Sequence, residues 1–281
     1  MNNPISNSLR AAIIGAWIGG LIWFERRRVL RSVQRNKLRR DVRNLVIAGP
    51  AGAVMQVLEM PVALGLAELT QQKKWGLLPR LHLRRAAAMI AGVLLLDYTL
   101  YWWHYLTHRV PLLWQFHQVH HIDQEMDATT ALRFHFGEIA ISVGYRAAQI
   151  VAIGASPMTV AVWQVFLFLN ILFHHSNVRL PVAWERILAR FIMTPRLHGI
   201  HHSIAPEEVN SNWSSGLTVW DWLHSTLRTE TPQSALTLGV PGFVGASETT
   251  ALEALALPFH IPGKPPGYDG APVRQSFDAL R

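Results

Sequence analysis

Residues 86–121 read AAAMIAGVLLLDYTLYWWHYLTHRVPLLWQFHQVHH. The first eighteen, 86–103, are apolar apart from Asp97 and a few hydroxyls. That approaches the roughly 20 residues a membrane-crossing helix needs, and the run ends on His104. Two histidine clusters follow, His104-Tyr-Leu-Thr-His108 and His117-Gln-Val-His120-His121, and a third, His198-Gly-Ile-His201-His202, lies about 80 residues on. Positions i, i+3 and i+4 share one face of a helix. Each cluster therefore reads as a row of imidazoles aimed at one point, which is how a helical bundle builds a metal site.

The rest of the composition narrows the chemistry. The 281 residues include no cysteine, which excludes disulfides, iron–sulfur clusters and thiolate-held haem or zinc. Any metal must be held by His, Asp or Glu, and eleven of the fourteen histidines fall between His104 and His202. Eight clustered histidines are too many for one ion, since a tetrahedral structural zinc takes four ligands; two ions are the natural solution. Imidazole alone does not select among iron, copper, zinc and nickel. A low-complexity histidine tract would suggest nonspecific binding, but these segments are not low-complexity. A bis-haem protein would set isolated histidines deep inside spans, whereas these cluster at span ends.

Charged residues make up 16% of the chain and apolar residues 50%, against roughly 25% charged in a soluble globule. The net charge of +8 comes from basic residues flanking apolar runs, so we read it as attraction to anionic headgroups rather than to nucleic acid. Residues 11–24 are wholly apolar but short for a span and read as a tilted or partly inserted anchor. Residues 25–43 carry nine Lys/Arg and read as a cytoplasmic loop. Residues 44–69 are long enough to span, with Pro50 and Pro61 predicting a kink or break, or else a hairpin. Residues 139–173 hold two apolar runs split by Gly154-Ala155-Ser156-Pro157, a turn that makes a helical hairpin and brings His135 and His174 to the side of His104. Five cations in 70–85 then fall outside, fewer than the nine inside. Residues 181–193 read as a surface helix ended by Pro195. The chain is thus all-α: an integral membrane bundle of about four to five membrane segments with a histidine-rich helical cap. Its regions are a membrane anchor over 1–85, a catalytic domain over 86–228 and a tail over 229–281.

From Asp97 to Thr229 the chain resembles the fatty acid hydroxylase/sterol desaturase superfamily of membrane di-iron enzymes. The resemblance rests on "DYTLYWWHYLTH", "HQVHH", "TALRFH", "HHSN", "TPRLHGIHH" and "NSNWSSGLTVWDWLHSTLR", in family order. It implies a transmembrane part with a cytosolic cap, two iron ions and dioxygen as cofactors, and hydroxylation or desaturation of an unactivated C–H bond in a lipid. The implied ligands are His104, His108, His117, His120, His121, His198, His201 and His202, joined by His175 from "HHSN". His174 and His135 stand at the margin, His135 as a supporting residue. The family commonly ends this region in Trp-Asp-x-x-Phe-Gly-Thr; here His224 replaces the Phe and Ser225 the Gly.

Two divalent ions held by neutral imidazoles call for nearby carboxylates to orient the rings. Asp97, Asp123, Glu138 and Asp221 are the candidates; the plainer readings are a helix-end cap for Asp123 and a turn residue for Asp221. Asp97, seven residues before His104, lies inside an apolar run, where an acid is expensive and usually functional. The chain has no flavin, nicotinamide or haem-domain motif, so the family chemistry implies an external electron donor: a ferredoxin or b-type cytochrome with its reductase, docked on basic loops. The expected partners are a lipid substrate, the membrane and this donor, with no nucleic acid. The expected location is integral to a membrane (the inner membrane in a bacterium), with the active site on the cytoplasmic side. A dimetal lipid hydrolase and a non-enzymatic metal-binding membrane protein are the alternatives.

Overall fold

In hydrocarbon every backbone N–H and C=O must be satisfied within the segment, and long apolar runs therefore become helices. The computed structural model describes residues 7–33, 35–244, 249–260 and 264–266. It is all-helical, with three isolated bridges and no strand among the described residues. Part of the tail, including everything past Pro266, lies outside the described residues.

The first helix, α1 (Asn7–Arg27), runs beyond the apolar stretch at both ends. It packs along a later helix through Trp17, whose Nε1–H donates to the Leu169 carbonyl and whose ring meets Phe173. Next come α2 (Lys37–Val54) and α3 (Met60–Lys73), joined by one π-helical turn, Met55–Glu59. Pro50 and Pro61 neither break this run nor fold it into a hairpin. Pro50 sits inside α2, and Pro61 lies two residues past the π turn. The wider turn takes up the mismatch, so 37–73 is one continuous helical run.

The fourth helix, α4 (Arg85–Arg109), is the span that carries Asp97, His104 and His108. It is followed by α5 (Pro111–His121), and then by the hairpin α6 (Phe136–Ile153) and α7 (Pro157–His175). The expected turn is there: Gly154 ends α6 at φ +74° and Ser156 caps α7. Gly76, at φ +89°, lies against Gly154 so closely that a Cβ on Gly76 would collide with backbone. Two glycines thus let the α3–α4 connection seat on the hairpin.

Among the described residues, four segments are long and apolar enough to cross a membrane: Lys37–Leu81, Arg85–Arg109, Phe136–Ile153 and Pro157–His175. Their shared core includes Ala63, Ala67, Leu96, Leu100, Ile150, Val160 and Trp163. Small residues on α3 allow close approach where no hydrophobic drive pulls helices together in lipid.

Beyond α7 the helices are short: α8 (Val182–Leu188), α9 (Pro195–His201), α10 (Pro206–Val209), α11 (Val219–Leu223) and α12 (Ala251–His260). The α8 helix and the turn after it expose Trp184 at 70% and Phe191 at 63%, a surface suited to the headgroup boundary. The expected role of Pro195 is corrected. The helix already ends at Leu188, and Pro195 opens α9, with Thr194 as its N-cap. Ser225, in the position of the family glycine, adopts φ +56°, a left-handed conformation that costs an L-residue roughly 1–2 kcal/mol. The neighbouring His224 stacks on Tyr98 and Tyr101, so the substituted turn is held by aromatic packing.

Candidate metal centre

The ends of two spans and two short helices converge. His104 and His108 lie on the last turns of α4, and His117, His120 and His121 on α5. His175 closes α7, and α9 supplies His198 and His201, with His202 just after it. All nine are buried. They separate into two sets, each with ligand atoms within 4.8 Å of one another: His104, His108, His117, His121 and His201 in one, and His120, His175, His198 and His202 in the other.

This corrects the expectation that each row aims at one point. In each His-x-x-His-His triplet the i and i+4 rings stay together and the i+3 ring crosses to the other set. Successive residues turn by about 100° around a helix axis. Positions i and i+4 are therefore about 40° apart, while i+3 and i+4 are about 100° apart, enough to face two different points.

Backbone carbonyls fix several rings. A carbonyl can only accept, so the ring nitrogen facing it carries the proton. The Nδ1–H of His104 donates to Trp213 (2.6 Å), that of His201 to Ser211 (2.8 Å) and that of His175 to Ile171 (2.8 Å). Each leaves its Nε2 lone pair free. The Nδ1 of His117 meets Glu138 Oε1 at 2.9 Å. In the four-ring set the Nε2 atoms of His120 and His175 are 2.9 Å apart, those of His175 and His198 3.0 Å, and those of His198 and His202 3.2 Å.

The donor set fits cations. Both nitrogens of His108 and His121, and Nε2 of His117 and His201, are buried without a partner among the described residues. Each such group costs about 1–3 kcal/mol, and a metal would relieve them together. Burial, reinforced by neighbouring rings, holds His120, His121, His198 and His202 well below the ordinary imidazole range and His201 at about 3. These five rings are thus neutral at physiological pH, the form that binds metal.

Of the four candidate carboxylates, Glu138 alone touches a ring of either set. Asp221 acts one step back: it accepts from the Trp213 and Ser214 amides, both 2.8 Å, and so holds the strand of backbone whose carbonyl orients His104. Asp97 accepts from the Leu217 amide and Trp220 Nε1 (2.9 and 2.7 Å), fastening the same segment to α4. Asp123 instead pairs with Arg40 and Arg43, and accepts from Asn44 and Thr130. His135 caps α6 through Nδ1, and its Nε2 donates to the Leu255 carbonyl, outside both sets. His174 packs against His198, ring centres 4.1 Å apart and tilted by 51°, and also lies outside both sets. The carbonyl acceptors and the Trp213 ring, which packs on His104, His108 and His201, have no signal in the sequence, since any residue can supply a carbonyl.

A cavity of about 200 Å³ opens beside the rings. Leu100, Trp103, Ile139, Leu167 and Ile171 give it apolar walls, and His104, His117, His120, His174, His175 and His198 line its inner end.

Residues 89–226 match the family model described as fatty acid hydroxylase. The chain is 30% identical over 181 residues to ornithine lipid hydroxylase OlsE of Rhizobium tropici, covering 64% of this chain and 52% of that protein. It is 29% identical to alkylglycerol monooxygenase of Xenopus tropicalis, over 46% of this chain and 28% of the relative. It is 27% identical to cholesterol 25-hydroxylase of Mus musculus, over 48% and 45%. The matched region thus spans about half or less of each relative's length. No solved structure gives a significant match.

Proposed function

We propose that this chain, whose residues 89–226 match the fatty acid hydroxylase family model, is a membrane di-iron oxygenase that oxidises an unactivated C–H bond of a lipid. The observation that carries the reading is the pairing of two converging, buried sets of imidazoles with an apolar-walled cavity between spans. The relatives named above are hydroxylases and monooxygenases whose names specify ornithine lipid, alkylglycerol and cholesterol. Lipid hydroxylation is their common ground.

In this reading the five-ring set and the four-ring set each hold one iron. Bound iron supplies oxidation of C–H bonds at the expense of dioxygen and two electrons. The protein's own part is positional. The carbonyls of Trp213, Ser211 and Ile171 fix ring tautomers, Glu138 holds His117, and Asp221 steadies the segment carrying Trp213. The walls around Leu100 and Ile139 place an alkyl chain and keep water away from the rings. Glu138→Ala is expected to weaken metal binding by about 10–100-fold, as loss of a ring-orienting partner does, with Glu138→Gln milder because the amide oxygen still accepts from Nδ1–H. Chelator competition measures both.

The basic segment supports a cytoplasmic site. It packs at the histidine end of the spans: Arg31 Nη1 donates to the Pro195 carbonyl at 3.1 Å, and Arg40 pairs with Asp123 near α5. The exposed Arg26, Arg27, Arg28 and Arg39 of the same segment suit an acidic electron donor, a ferredoxin or a b-type cytochrome with its reductase. The test is lipid turnover by purified, iron-loaded protein with dioxygen and a chemical reductant. The expected result is incorporation of labelled oxygen into lipid, abolished without dioxygen. Turnover that persists anaerobically would establish a hydrolase instead, and reversible metal binding without lipid change a non-enzymatic role.

A further inference from the structure

The cavity has a second, polar end. Glu138, Ser142 and Arg146 all line it, and their i, i+4, i+8 spacing puts them in one stripe along α6. Glu138 marks the metal end through His117. Arg146 lies eight residues on, about 12 Å along the helix axis. There its Nε donates to Glu59 Oε1 at 3.4 Å and its Nη1 to Gln149 Oε1 at 3.1 Å, while the guanidinium lies 4.3 Å from the centre of the Trp163 ring. Glu59 belongs to the π-helical turn between α2 and α3, and π turns often mark functional sites. Gln164, from α7, lines the same cavity. Its amide donates to the Met60 sulfur, and its Oε1 is buried without a partner among the described residues.

An ion pair among spanning helices is costly, and apolar residues of equal volume would pack there at lower cost. We infer that Arg146, Glu59 and Gln164 form a subsite for the polar group of the substrate, and that this group is neutral and both donates and accepts hydrogen bonds, as a hydroxyl does. The guanidinium donates; Glu59 and the unpartnered Gln164 Oε1 accept. A carboxylate or phosphate would face those two acceptors and is disfavoured. The substrate class is then a neutral lipid alcohol, its hydroxyl held about two helical turns, roughly 12 Å, from the metal end. This assignment rests on the oxygenase reading for what happens at the other end.

The test uses the full chain in lipid nanodiscs and three probes of equal chain length: lauryl alcohol, laurate and dodecane. Native mass spectrometry reads retention, with no need for turnover. The alcohol is expected to be retained about tenfold better than either of the others, the worth of one or two well-made hydrogen bonds. Gln164→Leu leaves the ion pair intact, and the double variant Glu59→Gln/Arg146→Met removes both charges together so that neither is stranded. Both are expected to abolish most of the preference while retaining iron. A preference for laurate, or a preference for alcohol unchanged in both variants, overturns the subsite; the latter would leave the pair as a staple between α6 and the π turn. Wild-type oxidation of lipid with unchanged selectivity in the variants sinks the subsite alone. Alcohol selectivity lost in the variants, with no dioxygen-dependent oxidation by the wild type, sinks the oxygenase reading alone.

Discussion

Alanine at His120 and alanine at its neighbour His121 are expected to empty different metal sites. His120 belongs to the four-ring set and His121 to the five-ring set, although they are adjacent in sequence. Each single variant should fall from two irons per chain to about one, and lipid oxidation should fall by more than about 100-fold, the upper end of what losing a mere supporting group costs. The combinations carry the argument. His120→Ala with His202→Ala removes two ligands of one set and should lose no more iron than either alone. His120→Ala with His121→Ala strikes both sets and should lose both irons. Elemental analysis of the purified proteins reads the outcome. If the His120/His202 pair strips both irons while the His120/His121 pair strips one, the division into five and four is wrong.

Removing the Asp123 carboxylate should cost about 3–5 kcal/mol of stability, because it breaks a buried ion pair and takes the shared acceptor from Arg43, Asn44 and Thr130 as well. The Arg40 side chain is fully buried. Its guanidinium meets Asp123 at 3.2 Å, Asp127 at 3.0 Å and the Glu125 carbonyl at 2.6 Å. Asp123→Ala leaves Arg40 with Asp127 and a more distant Glu125 carboxylate. The paired change Arg40→Met/Asp123→Leu should recover much of the loss, since it removes both charges. The acid dependence follows from the same contacts. Despite burial, Arg40, Arg133 and Arg43 hold the Asp123 carboxyl down at about 2, against an ordinary 3.8. The unfolded chain therefore takes up the proton first. The stabilisation, about 2.5 kcal/mol for a shift of nearly two pH units, is full above roughly pH 4 and lost as pH falls toward 2. Denaturant unfolding in detergent across that window should show the step in the wild type and not in Asp123→Ala. A variant within about 1 kcal/mol of wild type at neutral pH would overturn the account.

Much of this molecule was legible in one dimension. Absent cysteine excluded thiolate sites, apolar runs of span length dictated helices, and Gly154-Ala155-Ser156-Pro157 announced the hairpin. Histidines at i, i+3 and i+4 announced clustered rings able to hold metal, because helical periodicity is a local property. What required the third dimension was direction and partnership. Asp97, Asp123 and Asp221 each looked fit to orient a ring, yet which groups a carboxylate reaches depends on segments as much as 123 residues distant, such as Trp220 against Asp97. Carbonyls that fix rings are invisible in a sequence, as all residues have one. Pro195 read as a stop and served as a start, since its fixed φ suits either side of a helix boundary. The three histidine rows, two of them within residues 86–121, likewise pointed to a metal centre, but not to its division. Only the packing of α4, α5, α7 and α9 against one another sends His117 and His121 to one set and His120 to the other, because a helix fixes the angles between its side chains and leaves to its neighbours what those side chains face.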